Sequence, residues 1–121
     1  MPTKEEITEL AFQRYKTQEP YEKSIWYLAY YTQKLKANIK DLKNTIDPLQ
    51  ADNLILLLKD DVNGSLIEPN ETEVKKLAEK IYAEQPEKSK LHWFIAEKML
   101  IIKEIEELID YNREQINSSA H

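Results

Sequence analysis

The chain has 121 residues, a formal net charge of −5 and no cysteine, which fits one domain and excludes disulfides, thiolate metal sites and cysteine nucleophiles. It contains a single glycine, whereas the tight hairpins of β-sheets need several positions with positive φ. The composition therefore predicts an all-α fold, and the mild acidity disfavours a surface that binds nucleic acid as a whole.

The first predicted helix begins at a capping box formed by Thr3 and Glu6. It should end between Lys16 and Glu19, because the residue before Pro20 is pushed out of the α region. The N-terminal residues lack the apolar stretch of a signal peptide, and no run approaches the roughly 20 apolar residues of a membrane span. We therefore expect a cytoplasmic protein that does not enter a membrane.

The second predicted helix runs from Pro20 to Ile46, with proline in its first turn. Apolar residues at alternating steps of three and four form a seam that is typical of coiled coils. The members of the seam are Tyr21, Ile25, Leu28, Leu35, Ile39, Leu42 and Ile46, with Thr32 as a polar member. A second stripe, which contains Trp26 and Tyr30 and is widened by Tyr27, predicts burial of the N-terminal half on two sides.

Residues 49–60 contain the run Leu54–Leu58, which fits either a buried strand or a short helix. We favour a helix, ended by the left-handed stop that Asn63-Gly64 can provide. The alternative is a hairpin with Asn63-Gly64 as its turn, although Pro69 would stop the returning strand after residues 65–68.

Asn70 and Glu73 predict the start of another helix, which should end around Gln85-Pro86. The last helix should begin at Glu87 or Ser89 and reach Ile116. Its apolar stripe contains a column of isoleucines spaced seven apart, namely Ile95, Ile102, Ile109 and Ile116. Residues 1–116 then form a single helical domain, and residues 117–121 form a disordered C-terminal tail.

These elements predict a four- to five-helix bundle with the two long helices antiparallel at its centre. Lysines in the second half of helix 2 and carboxylates in the second half of the last helix favour their pairing, within one chain or across a homodimer. The isoleucine column is the predicted self-association surface. No internal repeat, low-complexity segment or domain linker is evident in the sequence.

Catalytic signatures are sparse. The sequence contains no phosphate-binding glycine loop and no zinc-protease motif. Lys59–Asn70 resembles a calcium loop around Gly64, but lysine at the first ligand position would repel the ion. His92 is predicted at the surface or boundary of the last helix, and His121 in the tail. We therefore predict no catalytic residue, no metal site and no cofactor.

Paired carboxylates give one enzymatic alternative. Glu6 with Glu9, and Glu104 with Glu107, are spaced one helical turn apart and could bind Mg²⁺. The spacing is similar to that of the acidic pairs of all-α nucleotide pyrophosphatases, which implies a metal-dependent nucleotide hydrolase. In this chain the two pairs lie at opposite ends of the sequence.

Lysines give a second alternative, a nucleic-acid-binding regulatory protein. Lys36, Lys40 and Lys43 form a basic stripe on helix 2, and the helix after Asn70 carries Lys75, Lys76 and Lys80. Arginine, which recognises bases and phosphates best, occurs only at Arg14 and Arg113.

Long amphipathic helices and interface-type aromatics favour a third interpretation, a non-enzymatic protein-protein interaction module of the adaptor, chaperone, immunity or inhibitor type. The predicted partner is another protein, and the predicted binding residues are Trp26, Tyr27, Tyr30, Lys36, Lys40 and Lys43.

Overall fold

A computed structural model describes residues 2–40, 58–59 and 65–119, together with Leu42, Ile46 and Pro48, with side chains as far as Tyr111. These residues form four helices, α1 (Lys4–Lys16), α2 (Tyr21–Asn38), α3 (Glu71–Glu84) and α4 (Lys88–Ser119). The all-α class predicted from the composition is confirmed.

Local signals set most of the helix ends. Thr3 Oγ1 accepts a hydrogen bond from the Glu6 N–H at 3.1 Å, which completes the predicted capping box of α1. Asn70 Oδ1 accepts from the N–H groups of the first turn of α3. Gln18 and Gln85 adopt positive φ angles of 57° and 51° just beyond α1 and α3, where a left-handed residue ends a helix. The predicted starts and ends of α1 and α3 are confirmed to within a residue or two.

The predicted second helix was too long. Its apolar seam continues to Ile46, but α2 ends at Asn38, and Ile39 is extended with φ −110°. The amide of Asn38 explains this end, because its Nδ2 donates to Ile67 O at 2.8 Å and its Oδ1 accepts from Ile67 N at 2.7 Å. A tertiary contact thus interrupts a pattern that is helical in isolation.

Most of the uncertain segment 49–60 lies outside the described residues, as does Asn63-Gly64. Its last part is not helical, because Leu58 forms an antiparallel bridge with Ile39 and Lys59 N donates to Asn38 O at 2.8 Å.

The final helix is longer than predicted, since α4 continues to Ser119 and includes the first three residues of the predicted tail.

The antiparallel pairing of the two long helices is not confirmed. Residues 25–29 of α2 join residues 91–95 of α4 in one core cluster, and residues 35–39 join residues 101–105 in the next. Tyr21 Oη donates to Pro86 O at 2.6 Å, so the two helices also start side by side. Helices α2 and α4 therefore run in the same direction. Helix α1 packs on α4, and α3 packs on α2, each in the opposite direction.

The structure reveals an internal repeat that the sequence reading missed. Two landmarks of the second hairpin lie 67 positions after their counterparts in the first, namely the N-cap Asn70 after Thr3 and the left-handed Gln85 after Gln18. Without a gap, residues 74–96 align with residues 7–29. The identical pairs are Leu10/Leu77, Ala11/Ala78, Tyr15/Tyr82, Gln18/Gln85, Lys23/Lys90, Trp26/Trp93 and Ala29/Ala96.

Burial follows the same repeat. Leu28 and Ala29 are fully buried in α2, and so are their counterparts Ile95 and Ala96 in α4. The helix packing also follows the repeat, because α1 packs against α4 in the same way that α3 packs against α2. The two hairpins thus make equivalent contacts, because the first helix of each packs against the second helix of the other.

Candidate functional site: a groove between α2 and α3

An open groove of about 490 Å³ lies between α2 and α3. We call it the Trp26 groove. It is lined by Glu22, Ile25 and Trp26 from α2, and by Glu71, Lys75, Ala78, Glu79 and Tyr82 from α3. The two helices run antiparallel here, and the lining residues span about three turns of α3 but only about one turn of α2.

The floor of the Trp26 groove is apolar and its edges are aromatic. Ile25 is buried and the small side chain of Ala78 is partly buried, which leaves the depression between the helices. Trp26 and Tyr82 retain 37% and 48% of their surface in water. Exposed Trp and Tyr beside an apolar depression are the residue types that dominate protein-protein hot spots.

The rim of the Trp26 groove is acidic. Glu22, Glu71 and Glu79 surround it, and Lys75 is the cation among the lining residues. All four are exposed. Carboxylates at the rim attract a basic partner and contribute more to encounter rate and specificity than to affinity.

The other predicted aromatic residues make contacts within the chain. Tyr27 stacks on Tyr31 with ring centroids 6.2 Å apart, and Tyr30 meets Tyr31 edge to face at 5.4 Å. The Tyr30 hydroxyl donates to Glu68, which also pairs with Lys34 at 3.2 Å. This hydrogen bond raises the pKa of Tyr30 to about 12 and lowers the pKa of Glu68. Of the predicted aromatic residues, Trp26 therefore has the clearest place in the groove.

The predicted lysine stripe lies away from the groove. Lys36 is half-buried and Lys40 is exposed near the end of α2, while Lys43 lies outside the described residues. Ten residues of helix separate Trp26 from Lys36, which is about 15 Å along the axis. These lysines can influence the approach of a charged partner but do not line the groove.

Much of the predicted self-association column is buried in the core of the chain itself. Ile95 is fully buried and Ile102 is 6% exposed, both in the core shared with α2. Ile109 is half-buried at the edge of that core, and the side chain of Ile116 lies outside the description. Ile95 and Ile102 are therefore not accessible to a second copy in this conformation.

A polar cluster between α1, α2 and α4 was missed by sequence reading. Glu19 Oε2 accepts from Arg14 at 2.7 Å and from Ser24 Oγ at 2.6 Å, and Arg14 also lies 5.6 Å from the centre of the Tyr27 ring. The signal was available, because Arg14 falls on the apolar face of α1 beside Ala11. A charge on such a face requires a partner nearby.

His92 lies next to this cluster, contrary to the prediction of a surface or boundary position. It is 3% exposed, and its ring meets Tyr15 edge to face at 6.0 Å. Burial and the nearby positive charge of Arg14 lower its pKa. Among the described residues, its Nδ1 has no hydrogen-bond partner. The ring is therefore a neutral part of the core near pH 7.

The fold does bring together carboxylates from opposite ends of the sequence. Glu6 of α1 lines a cavity of about 330 Å³ with Glu104 and Glu107 of α4. However, Lys103 lines the same cavity, and Glu6 accepts a hydrogen bond from Thr3 N at 3.1 Å in the capping box. No group of three potential metal ligands has suitable geometry in the part of the chain that the structure describes.

Comparison with known proteins adds no relative: no family model, curated protein or solved structure matches this chain. No helix among the described residues combines the length and apolarity needed to span a membrane. The fold and the groove together define a helical protein built from two related hairpins, with an open apolar depression on one side.

Proposed function

We propose that this protein is a non-enzymatic protein-binding module that holds an amphipathic helix of a partner in the Trp26 groove. The observation that carries the proposal is the exposure of Trp26 and Tyr82 on either side of an apolar floor. A helix lying in a groove between two helices is a recurrent mode of peptide recognition. An adaptor, chaperone, immunity protein or inhibitor would each use such a surface.

The dimensions of the groove suit a short helix. Its lining residues on α3 extend from Glu71 to Tyr82, which is about 16 Å of helix or three turns. A bound segment of that length presents apolar side chains at positions i, i+3 or i+4, and i+7. An interface of this size falls in the class of weak or transient complexes, so we expect micromolar rather than nanomolar binding.

A synthetic helix of leucine and lysine, about 14 residues long and labelled with fluorescein, would test this proposal by anisotropy titration. Trp26→Ala combined with Tyr82→Ala should weaken binding at the groove at least about tenfold, because it removes both aromatic edges. Tyr111→Ala is the matched control, since Tyr111 is 58% exposed on α4 outside the groove. Equal affinity for the double variant and the parent would refute the proposal.

Self-association is a separate part of the proposal. It would use the later part of α4, where Ile109 of the predicted isoleucine column is half-buried at the edge of the core. Light scattering across a concentration series would measure the solution mass against the 14.3 kDa of one chain. A constant mass of one chain would end this part of the proposal without affecting the Trp26 groove.

A further inference from the structure

The two ends of the Trp26 groove differ. At one end Tyr21 of α2 meets Tyr82 of α3, with ring centroids 6.4 Å apart. The stretch of α2 that lines the groove, residues 22–26, begins one residue after this contact, whereas Glu71 lies about 16 Å further along α3. Both helices therefore form walls at the first end, which we call the Tyr82 end, and α3 alone lines the other, the Glu71 end.

Two carboxylates lie at the Tyr82 end. Glu22 follows Tyr21 directly on α2, and Glu79 lies about one helical turn before Tyr82 on α3. Both glutamates line the groove and are exposed. A helix bound at this end therefore meets negative charge from both walls.

The lysines that follow these two glutamates in the sequence have other neighbours. Lys23 lies over the Tyr27 ring, with its Nζ 5.9 Å from the ring centre. Lys80 lines a different cavity of about 630 Å³, between the end of α3 and the start of α4. The adjacent lysines therefore do not place positive charge among the residues that line the Tyr82 end.

Lysines offset the carboxylates at the Glu71 end. Lys75 follows Glu71 by four residues in α3, and glutamate before lysine is the favourable order for a helical ion pair at this spacing. The order is reversed for Lys75 and Glu79, so Lys75 offsets Glu71 more effectively. Just beyond the groove, Glu68 pairs with Lys34 at 3.2 Å. The Glu71 end is consequently closer to neutral than the Tyr82 end.

The helix dipoles do not remove this difference. At the Tyr82 end α2 begins and α3 ends, so the partial positive charge of one terminus offsets the partial negative charge of the other. Side-chain carboxylates therefore determine the sign of the potential at that end. A lysine or arginine of a bound helix is stabilised more there than at the Glu71 end.

We propose that the partner helix carries its basic residues at one end, and that this end lies between Glu22 and Glu79 at the Tyr82 end of the groove. Its apolar side chains then cover the floor of the groove between the rings of Trp26 and Tyr82. This inference rests on the proposed function and adds the charge pattern of the partner and the direction in which it lies.

Charge reversal at each end tests the pattern by anisotropy titration at low salt. The probe is the fluorescein-labelled peptide with lysines kept at one end and replaced by glutamine elsewhere. Glu79→Lys should weaken its binding at least about threefold, and Glu79→Lys with Glu22→Lys at least about tenfold, because like charges then meet. Glu71→Lys is the matched control on the same helix and should weaken binding less than about twofold. High salt should reduce these differences.

A nitroxide on the lysine end of the peptide reports the direction without any substitution in the protein. In the isotope-labelled parent protein it should broaden the amide signals near Tyr82 more than those near Glu71, because the effect falls steeply with distance. Equal broadening at both ends, or stronger broadening near Glu71, would overturn the direction and leave the proposed function standing.

The remaining outcomes separate the two proposals. Unchanged affinity after both reversals at the Tyr82 end, or equally tight binding of a peptide with glutamate in place of lysine, overturns the assigned charge but not the groove. Absence of binding to the parent protein overturns both. Circular dichroism checks that each variant is folded, and Glu22→Gln with Glu79→Gln, which introduces no new charge, should weaken binding in the same direction by a smaller factor.

Discussion

Individual residues distinguish the two hairpins although their backbones follow one plan. His92 occupies the position that Ile25 holds in the first hairpin, and both are almost fully buried. Ser24 and Asn38 likewise occupy positions where the second hairpin has Leu91 and Ile105. Equivalent positions are thus buried in both hairpins, although the residue is polar in one and apolar in the other. Each buried polar group needs a hydrogen-bond partner, because an unpaired one lowers the stability of the fold.

His92 should make stability depend on pH. The charged groups around it are Arg14, Glu19 and Lys88, and burial is the main reason why its pKa is lowered. The unfolded chain therefore binds a proton more readily than the folded chain. The stabilisation is complete above the ordinary value of 6.5 and is lost as the pH falls below it towards the folded pKa.

Urea unfolding between pH 7.5 and 5.5 checks this expectation. His92→Ile, which introduces the residue of the other hairpin, should remove most of the decline in unfolding free energy at acid pH. His121→Ala is the control, because it deletes the other histidine of the sequence and should retain the decline. The same pH slope for His92→Ile and the parent would show that the buried ring is not responsible.

Asn38 should be among the polar residues whose substitution lowers the stability of the protein most. Its side chain is 1% exposed and satisfies both the N–H and the C=O of Ile67. Asn38→Ala leaves these groups unpaired beside a small cavity, so we expect a loss of about 2–4 kcal/mol in unfolding free energy. Gln13→Ala, on the exposed side of α1, should change stability by less than about 0.5 kcal/mol. Comparable urea midpoints for the two variants would contradict this role of Asn38.

At the scale of the elements, both hairpins use the same terminal signals. Each opens with a side-chain cap, at Thr3 or Asn70, and turns through a left-handed glutamine followed within two residues by proline. Glutamine has a Cβ that makes the left-handed conformation unfavourable, whereas glycine adopts it at little cost. The turns therefore retain a small amount of strain that glycine could relieve.

Gln18→Gly should consequently stabilise the protein by about 0.5–1 kcal/mol, despite the usual destabilising effect of glycine. The matched control is Gln13→Gly in the middle of α1, which should cost about 1 kcal/mol because the backbone there is helical. Thermal unfolding of both variants measures the opposite signs. A lower melting temperature for Gln18→Gly would indicate that the Gln18 side chain stabilises the fold by more than the backbone strain destabilises it.

At the scale of the whole molecule, the closest helix packing is between the hairpins. Helix α1 lies against α4, α3 lies against α2, and the two central helices pack together. Each hairpin therefore covers the buried face of the other, and we expect neither to be stable when the other unfolds. The chain should unfold in one cooperative transition.

Leu28→Ala and Ile95→Ala test this cooperativity at the centre of the bundle. Both side chains are fully buried and occupy equivalent positions in the repeat, so each change should cost about 2–5 kcal/mol. Unfolding followed by circular dichroism and by tryptophan fluorescence should still give one coincident transition for each variant. Separate transitions would mean that the hairpins fold independently.

The sequence by itself determined the features that depend on neighbouring residues. Caps at Thr3 and Asn70, the stop before Pro20 and the turn at Gln85-Pro86 act over a few residues, so they could be read without knowing the fold. The buried face of α3 is also local in origin, because Val74, Leu77 and Ile81 recur at helical spacing. The helical spacing of apolar residues indicates which side of a helix is buried.

Only the tertiary structure decided the features that depend on distant residues. Periodicity carries no information about direction, so the parallel course of α2 and α4 followed from the packing of the two hairpins. The end of α2 at Asn38 required Ile67, which is 29 residues away. Exposure of Trp26 and Tyr82 likewise depends on the gap between α2 and α3, because an aromatic residue at the edge of an apolar stripe is buried or exposed according to what packs beside it.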